Sequence, residues 1–155
     1  MKKTICFILA IVLCLCFASC GKKAEPPQVP LATVMQEIRS SVSLPEMMDL
    51  TAENLQDYFG IEAGEITDFA ACINANGYEK EEIILLRASD AASAESLVQK
   101  LNLSLENAAA EMQNYLPEQY ALVKQSAVRT DGLTVSLCIS ENAQQIEAIL
   151  DKYFK

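Results

Sequence analysis

The sequence predicts an α+β domain: an antiparallel sheet of about four strands, with helices packed mainly on one face. Three observations lead there. Residues 66–76 and 82–88 are two strand-length apolar segments separated by a polar turn beginning at Asn76-Gly77. Residues 127–130 and 133–140 form a second pair split by Asp131-Gly132, a strong signal for a two-residue hairpin. Apolar stripes at steps of three and four lie around both pairs. Short links between strands make antiparallel neighbours, whereas parallel winding needs long crossovers.

In chain order, Lys2 and Lys3 precede an unbroken apolar run of 13 residues, Ile5 to Phe17. A charged start, a short apolar stretch and small residues after it form the layout of a secretory signal. A bilayer-spanning helix needs roughly 20 residues. Phe17-Ala18-Ser19-Cys20 then reads as a lipobox, an apolar residue and two small ones before the cysteine that becomes the mature N-terminus. Cys14 and Cys16 each follow a leucine and serve as apolar filler. The expected division is a lipoprotein signal peptide over 1–19, a lipidated Cys20 with a Pro-rich linker over 20–30, and one α+β domain over 31–155. Cys20 would carry a diacylglyceryl group with palmitate-like chains, since two acyl chains anchor stably where one does not. The alternative is an ordinary cleaved signal that leaves Cys20 free.

Leu31, Val34, Met35, Ile38 and Val42 keep helical spacing. Thr51 is placed to cap a short helix that Gly60 closes. In the strand over 66–76, Phe69, Ala71 and Ile73 share one face and Ala70, Cys72 and Asn74 the other. Ser89 or Asp90 caps a long helix bearing Ala94, Leu97, Leu101, Leu105, Ala108, Met112 and Leu116, and Pro117 stops or kinks it. Thr134, Ser136 and Cys138 alternate with Leu133, Val135, Leu137 and Ile139, which suggests an open polar face. Ile146, Ile149, Leu150 and Tyr153 mark a closing amphipathic helix.

Composition excludes several functions. The chain has no histidine, so it holds no Ser-His or Cys-His nucleophile pair and no histidine zinc site. Five scattered glycines build no phosphate loop. Loss of Lys2 and Lys3 with the signal leaves ten basic against 21 acidic residues, a net charge of −11, which repels nucleic acid. No catalytic residue, metal ligand or cofactor is expected. Glu79, Glu81 and Glu82 are either a weak cation site or a solvated turn. Tyr115 and Tyr120 flank Pro117, either as an aromatic lip or as anchors of the kink. With Thr134 and Ser136 they are the candidate binding surface. Cys72 and Cys138 either form a disulfide or are small buried residues on separate strands.

The order of these motifs resembles small lipoproteins of Gram-positive bacteria grouped as domain of unknown function 4358. The resemblance rests on the lipobox, YFGI at 58–61, ITDFAACINANG at 66–77, EIILLRA at 82–88, the helix ending YLPEQY, Asp131-Gly132 with LTVSLCIS, and the last helix. Leu133-Thr134, where an aromatic more often follows the turn glycine, and Cys72 depart from it. The resemblance implies a lipid-anchored envelope domain and carries no activity or catalytic residue with it. The expected role is a non-enzymatic interaction or accessory module on the extracytoplasmic face of the cell membrane, held by lipid and partnered by an envelope protein. The alternative is a small solute-binding lipoprotein serving a transporter.

Overall fold

The computed structural model describes residues 28–155. The expected signal, Cys20 and most of the linker lie outside them. Helix α1 spans Leu31–Ser41, followed by strand β1 (Met47–Asp49) and helix α2 (Ala52–Phe59). A 3-10 turn at Ala63–Glu65 leads into β2 (Ile66–Asn74), then β3 (Glu82–Ala88). Helices α3 (Ala91–Met112) and α4 (Pro117–Gln125) come next. The chain closes with β4 (Val128–Asp131), β5 (Thr134–Ile139) and α5 (Ala143–Phe154). The strands form one antiparallel sheet in the order β1-β2-β3-β5-β4.

The antiparallel α+β class holds, and the sheet has five strands. The additional one is β1, three residues paired only with the end of β2. The helices depart from the expected one-faced packing. Ile84 and Leu86 of β3 join Ala71, Val135, Leu137 and Ile139 beneath α2, α3 and α4. Ile83 and Leu85 join Cys72 and Cys138 beneath α1 and α5. Every residue of β3 is buried, so both of its faces need an apolar cover. Period two alone places successive side chains on opposite faces, and a run of seven buried residues requires two helical layers.

Local chemistry sets the ends of the elements. The Thr51 hydroxyl accepts from the Asn54 N–H, the Asn54 side chain accepts from the Thr51 N–H, and Gly60 closes α2 at φ +66°. The Asp90 carboxylate accepts from the Ser93 N–H at 2.7 Å to start α3. Pro117 opens α4 at a position where no N–H is needed. Gly132 takes φ +61° in the turn between β4 and β5, a conformation that costs a residue with a Cβ.

Pro30 precedes α1 and offers it no side-chain cap. The cap comes from across the sheet. The Leu31 N–H donates to Asp68 Oδ2 at 2.8 Å, and Arg87 Nη1 donates to the same oxygen at 3.1 Å. Arg87 Nη2 donates to the Val29 carbonyl at 2.9 Å. One ion pair between β2 and β3 thus grips both sides of the point where the N-terminal segment reaches the sheet. The opposite layer has its own tie. Lys100 of α3 meets Glu65 at 2.5 Å, and Ser96 Oγ donates to Glu65 at 2.7 Å. Burial pushes the Glu65 carboxyl up, but Lys100, the Glu62 N–H and Ser96 outweigh it and hold the group at about 2.

Three substitutions are read by stability. Asp68→Ala strands the buried Arg87 guanidinium and should cost about 2–3 kcal/mol in denaturant unfolding. Asp49→Ala removes an exposed partner of Arg39 and should cost about 1 kcal/mol or less. Glu65 is depressed in the folded state, so its contribution is present above the ordinary value of 4.5 and is lost as pH falls towards 2. Glu65→Gln should therefore be about 1–2 kcal/mol less stable than the parent at pH 7. That gap should close at pH 2–3, and an unchanged gap would contradict the assignment.

Candidate functional site

A polar concavity lies at the end of the sheet where β2 and β5 finish and β3 begins. The turn after β2 is built from asparagines. Asn74 Oδ1 accepts from the Asn76 N–H, and Asn76 Oδ1 accepts from the N–H groups of Tyr78 and Glu79. Asx turns of this kind satisfy backbone groups locally, and Gly77 follows at φ +72°. Both asparagine amides donate to Glu79 Oε2, at 2.9 and 3.1 Å. Lys80 N–H donates to Gln119 Oε1 at 2.7 Å, which fastens the hairpin to α4. Ser140 Oγ donates to Glu81 at 2.7 Å and accepts from the Asn142 N–H, while the Asn142 amide reaches the Ser43 carbonyl.

Two adjoining hollows of about 380 and 670 Å³ result, with Gln119, Leu122 and Glu141 common to both. Glu79, Glu81, Glu118 and Glu141 line them, with no lysine or arginine. The chemistry is hydrogen-bond acceptance in a negative field, suited to cationic or amine-bearing groups. Among the described residues no cluster of three or more His, Cys, Asp or Glu is arranged to hold a metal ion. The Glu79-Glu81-Glu82 run divides rather than converging. Glu79 is engaged by asparagines and Glu81 by Ser140, while Glu82 is buried against Lys80.

The four residues expected to form a binding surface are not brought together. Tyr115 is 84% exposed at the corner between α3 and α4, and Tyr120 is half-buried on α4. Because α3 ends at Met112, Tyr115 lies outside the helix and anchors nothing. Thr134 and Ser136 lie on the other face and are buried. Ser136 sits between Leu85 and Arg129, and Thr134 between Arg87 and Asp131. The open face inferred from β5 is covered by α1 and α5.

The disulfide considered for Cys72 and Cys138 does not form; both thiols are free and buried. The register explains it, because Ile83 of β3 is paired with Cys72 on one side and Cys138 on the other. Two strand spacings set the cysteines about 9.5 Å apart, beyond the roughly 7 Å that a disulfide spans. Burial pushes both thiols up, Cys138 well above its ordinary range and Cys72 against the opposing pull of Arg39. Cys20 falls outside the described residues.

Sequence reasoning missed Gln119, Ser140 and Asn142. The asparagine pair around Ala75 was a legible turn signal, but what its side chains grip was not. Over residues 40–140 the chain matches the family described as a domain of unknown function (DUF4358), and it belongs to that family. The match takes in all five strands and leaves α5 and most of α1 outside. No curated protein and no solved structure matched the chain.

Thiol chemistry tests this arrangement. Iodoacetamide at pH 8 should leave Cys72 and Cys138 unmodified in the folded protein and label both after unfolding without reductant, as read by mass spectrometry. A Cys72–Cys138 crosslinked peptide would contradict the register.

Proposed function

We propose that this protein is a lipid-anchored, extracytoplasmic interaction module, carried on Cys20 and presenting its acidic cleft away from the membrane. The observation that carries the reading is Phe17-Ala18-Ser19-Cys20 behind a short apolar run with two lysines before it. The positions of the two ends of the sheet support the presentation. The segment leading back to Cys20 is gripped by Asp68 and Arg87, where β3 ends. The cleft sits where β3 begins, so the two are about 20 Å apart along the strand. Seven residues lie between Cys20 and Gln28, a reach of about 25 Å, which keeps the domain close to the bilayer. The net negative charge disfavours contact with anionic headgroups. None of the described helices is long and apolar enough to cross a membrane; on this reading the acyl chains of Cys20 supply the attachment.

Detergent phase separation of the protein from its native cells tests the anchor. The parent should enter the detergent phase with an acylated N-terminal Cys20 by mass spectrometry, and Cys20→Ser should move to the aqueous phase. An unmodified N-terminus in the aqueous phase would sink the reading. Crosslinking from cysteines placed at Glu118 and Glu141 in intact cells should capture one recurrent envelope neighbour.

A further inference from the structure

The two edges of the sheet are not alike. On the β4 edge, Arg129 is held by Asp131, Glu147 and Asp151 at 2.5–2.6 Å, so charges crowd the strand and α5 is tied to it. Such charges protect an edge from further pairing. The other edge is β2, and β1 covers only part of it. The Asn74 N–H donates to the Glu81 carbonyl at 2.8 Å, which turns the even residues of β2 towards β3. The Leu50 N–H donates to the Ala71 carbonyl at 2.9 Å, and the Ala75 N–H to the Glu46 carbonyl at 2.8 Å. The odd residues therefore face β1.

Phe69 is the next odd residue, and β1 has already ended at Asp49, with the chain entering α2 at Ala52. Among the described residues nothing pairs with the outward N–H and C=O of Phe69. Burial records the same break: β2 is fully enclosed at Ala71 and Cys72, but residues 66–70 are partly or wholly open. Beside this stretch runs a groove of about 330 Å³. Its walls are Ala32, Met35 and Arg39 of α1 against Leu50, Phe69 and Ala70.

We propose that this edge of β2 receives an extended, mainly apolar peptide segment of a partner protein, which adds a strand in line with β1. An outward donor and acceptor on one extended residue match another strand and not a helix or a folded face. Met35, Leu50 and Ala70 offer apolar contact for alternate side chains, and the exposed Arg39–Asp49 pair bounds one end. This goes beyond the reading above: the surface is separate from the acidic cleft and does not depend on the lipid.

Hydrogen exchange on the full mature chain tests it first. The Phe69 amide should exchange at least about 100-fold faster than those of Ala70 and Cys72, which donate into β3. Random octapeptides displayed on phage are then selected on the same protein, and the enriched sequence is made synthetically. Bound peptide should slow the Phe69 amide at least tenfold, and Ala32→Trp, which fills the groove from an exposed helix position, should weaken binding at least tenfold. Gln36→Trp, also exposed on α1, serves if the first variant does not fold. A Phe69 amide as slow as that of Ala70, no enriched peptide, or binding indifferent to the tryptophans would each overturn the proposal. These outcomes leave the detergent partitioning of the anchor untouched, so the two readings fail separately.

Discussion

Burial of β3 on both faces is the constraint from which the rest of this architecture follows. A strand that presents apolar side chains up and down cannot end at one layer of helix, since exposed Ile83 and Leu85 would each forfeit about 1.5–3 kcal/mol of transfer free energy. The α2–α3–α4 layer covers Ile84 and Leu86. The α1–α5 layer covers Ile83 and Leu85, and it draws one helix from each end of the described chain. Placing Cys72 and Cys138 in line with Ile83 is part of the same solution. Both serve as small apolar side chains under α1 and α5, one strand apart on either side of the centre.

The polar features sit at the margins that this packing leaves. At one end of β3, Arg87 reaches out of the sheet to join Asp68 and the backbone at the start of α1. At the other, the acidic hairpin, Ser140 and Gln119 enclose the cleft. The start of α1 and the concavity thus lie at opposite poles of one strand. The family match spans the sheet and takes in Glu79, Glu81, Gln119 and Ser140 at the cleft, whereas Glu141, Asn142 and most of α1 lie outside it.

Much of the fold was legible in the sequence. β3 was read with its true bounds, because the apolar run Ile83–Leu86 between polar turns has few other uses. Thr51 and Gly60 bounded α2 through cap chemistry that is local in sequence. The distribution of helices was not legible. Alternation in β5 suggested that Thr134 and Ser136 faced water, yet the hydroxyls lie beneath α1 and α5. A small hydroxyl is compatible with either environment, and the decision belongs to helices far away in sequence. β1 escaped for another reason: three residues carry no periodicity, and Met47-Met48 reads equally as loop or core. The cleft depends on pairs such as Lys80–Gln119 and Glu81–Ser140, separated by 39 and 59 residues, which no local pattern announces.

The pairing of α1 with α5 has a consequence for how the molecule is made. Glu37 of α1 receives Lys152 at 2.7 Å and the Tyr153 hydroxyl, so the first helix completes its contacts only with the last dozen residues. A chain released or cut before that point leaves Ile83, Leu85 and the inner side of α1 wet, which is an adhesive surface. Such a product should be sticky whatever its partner is, because the contact that covers this surface closes across more than a hundred residues.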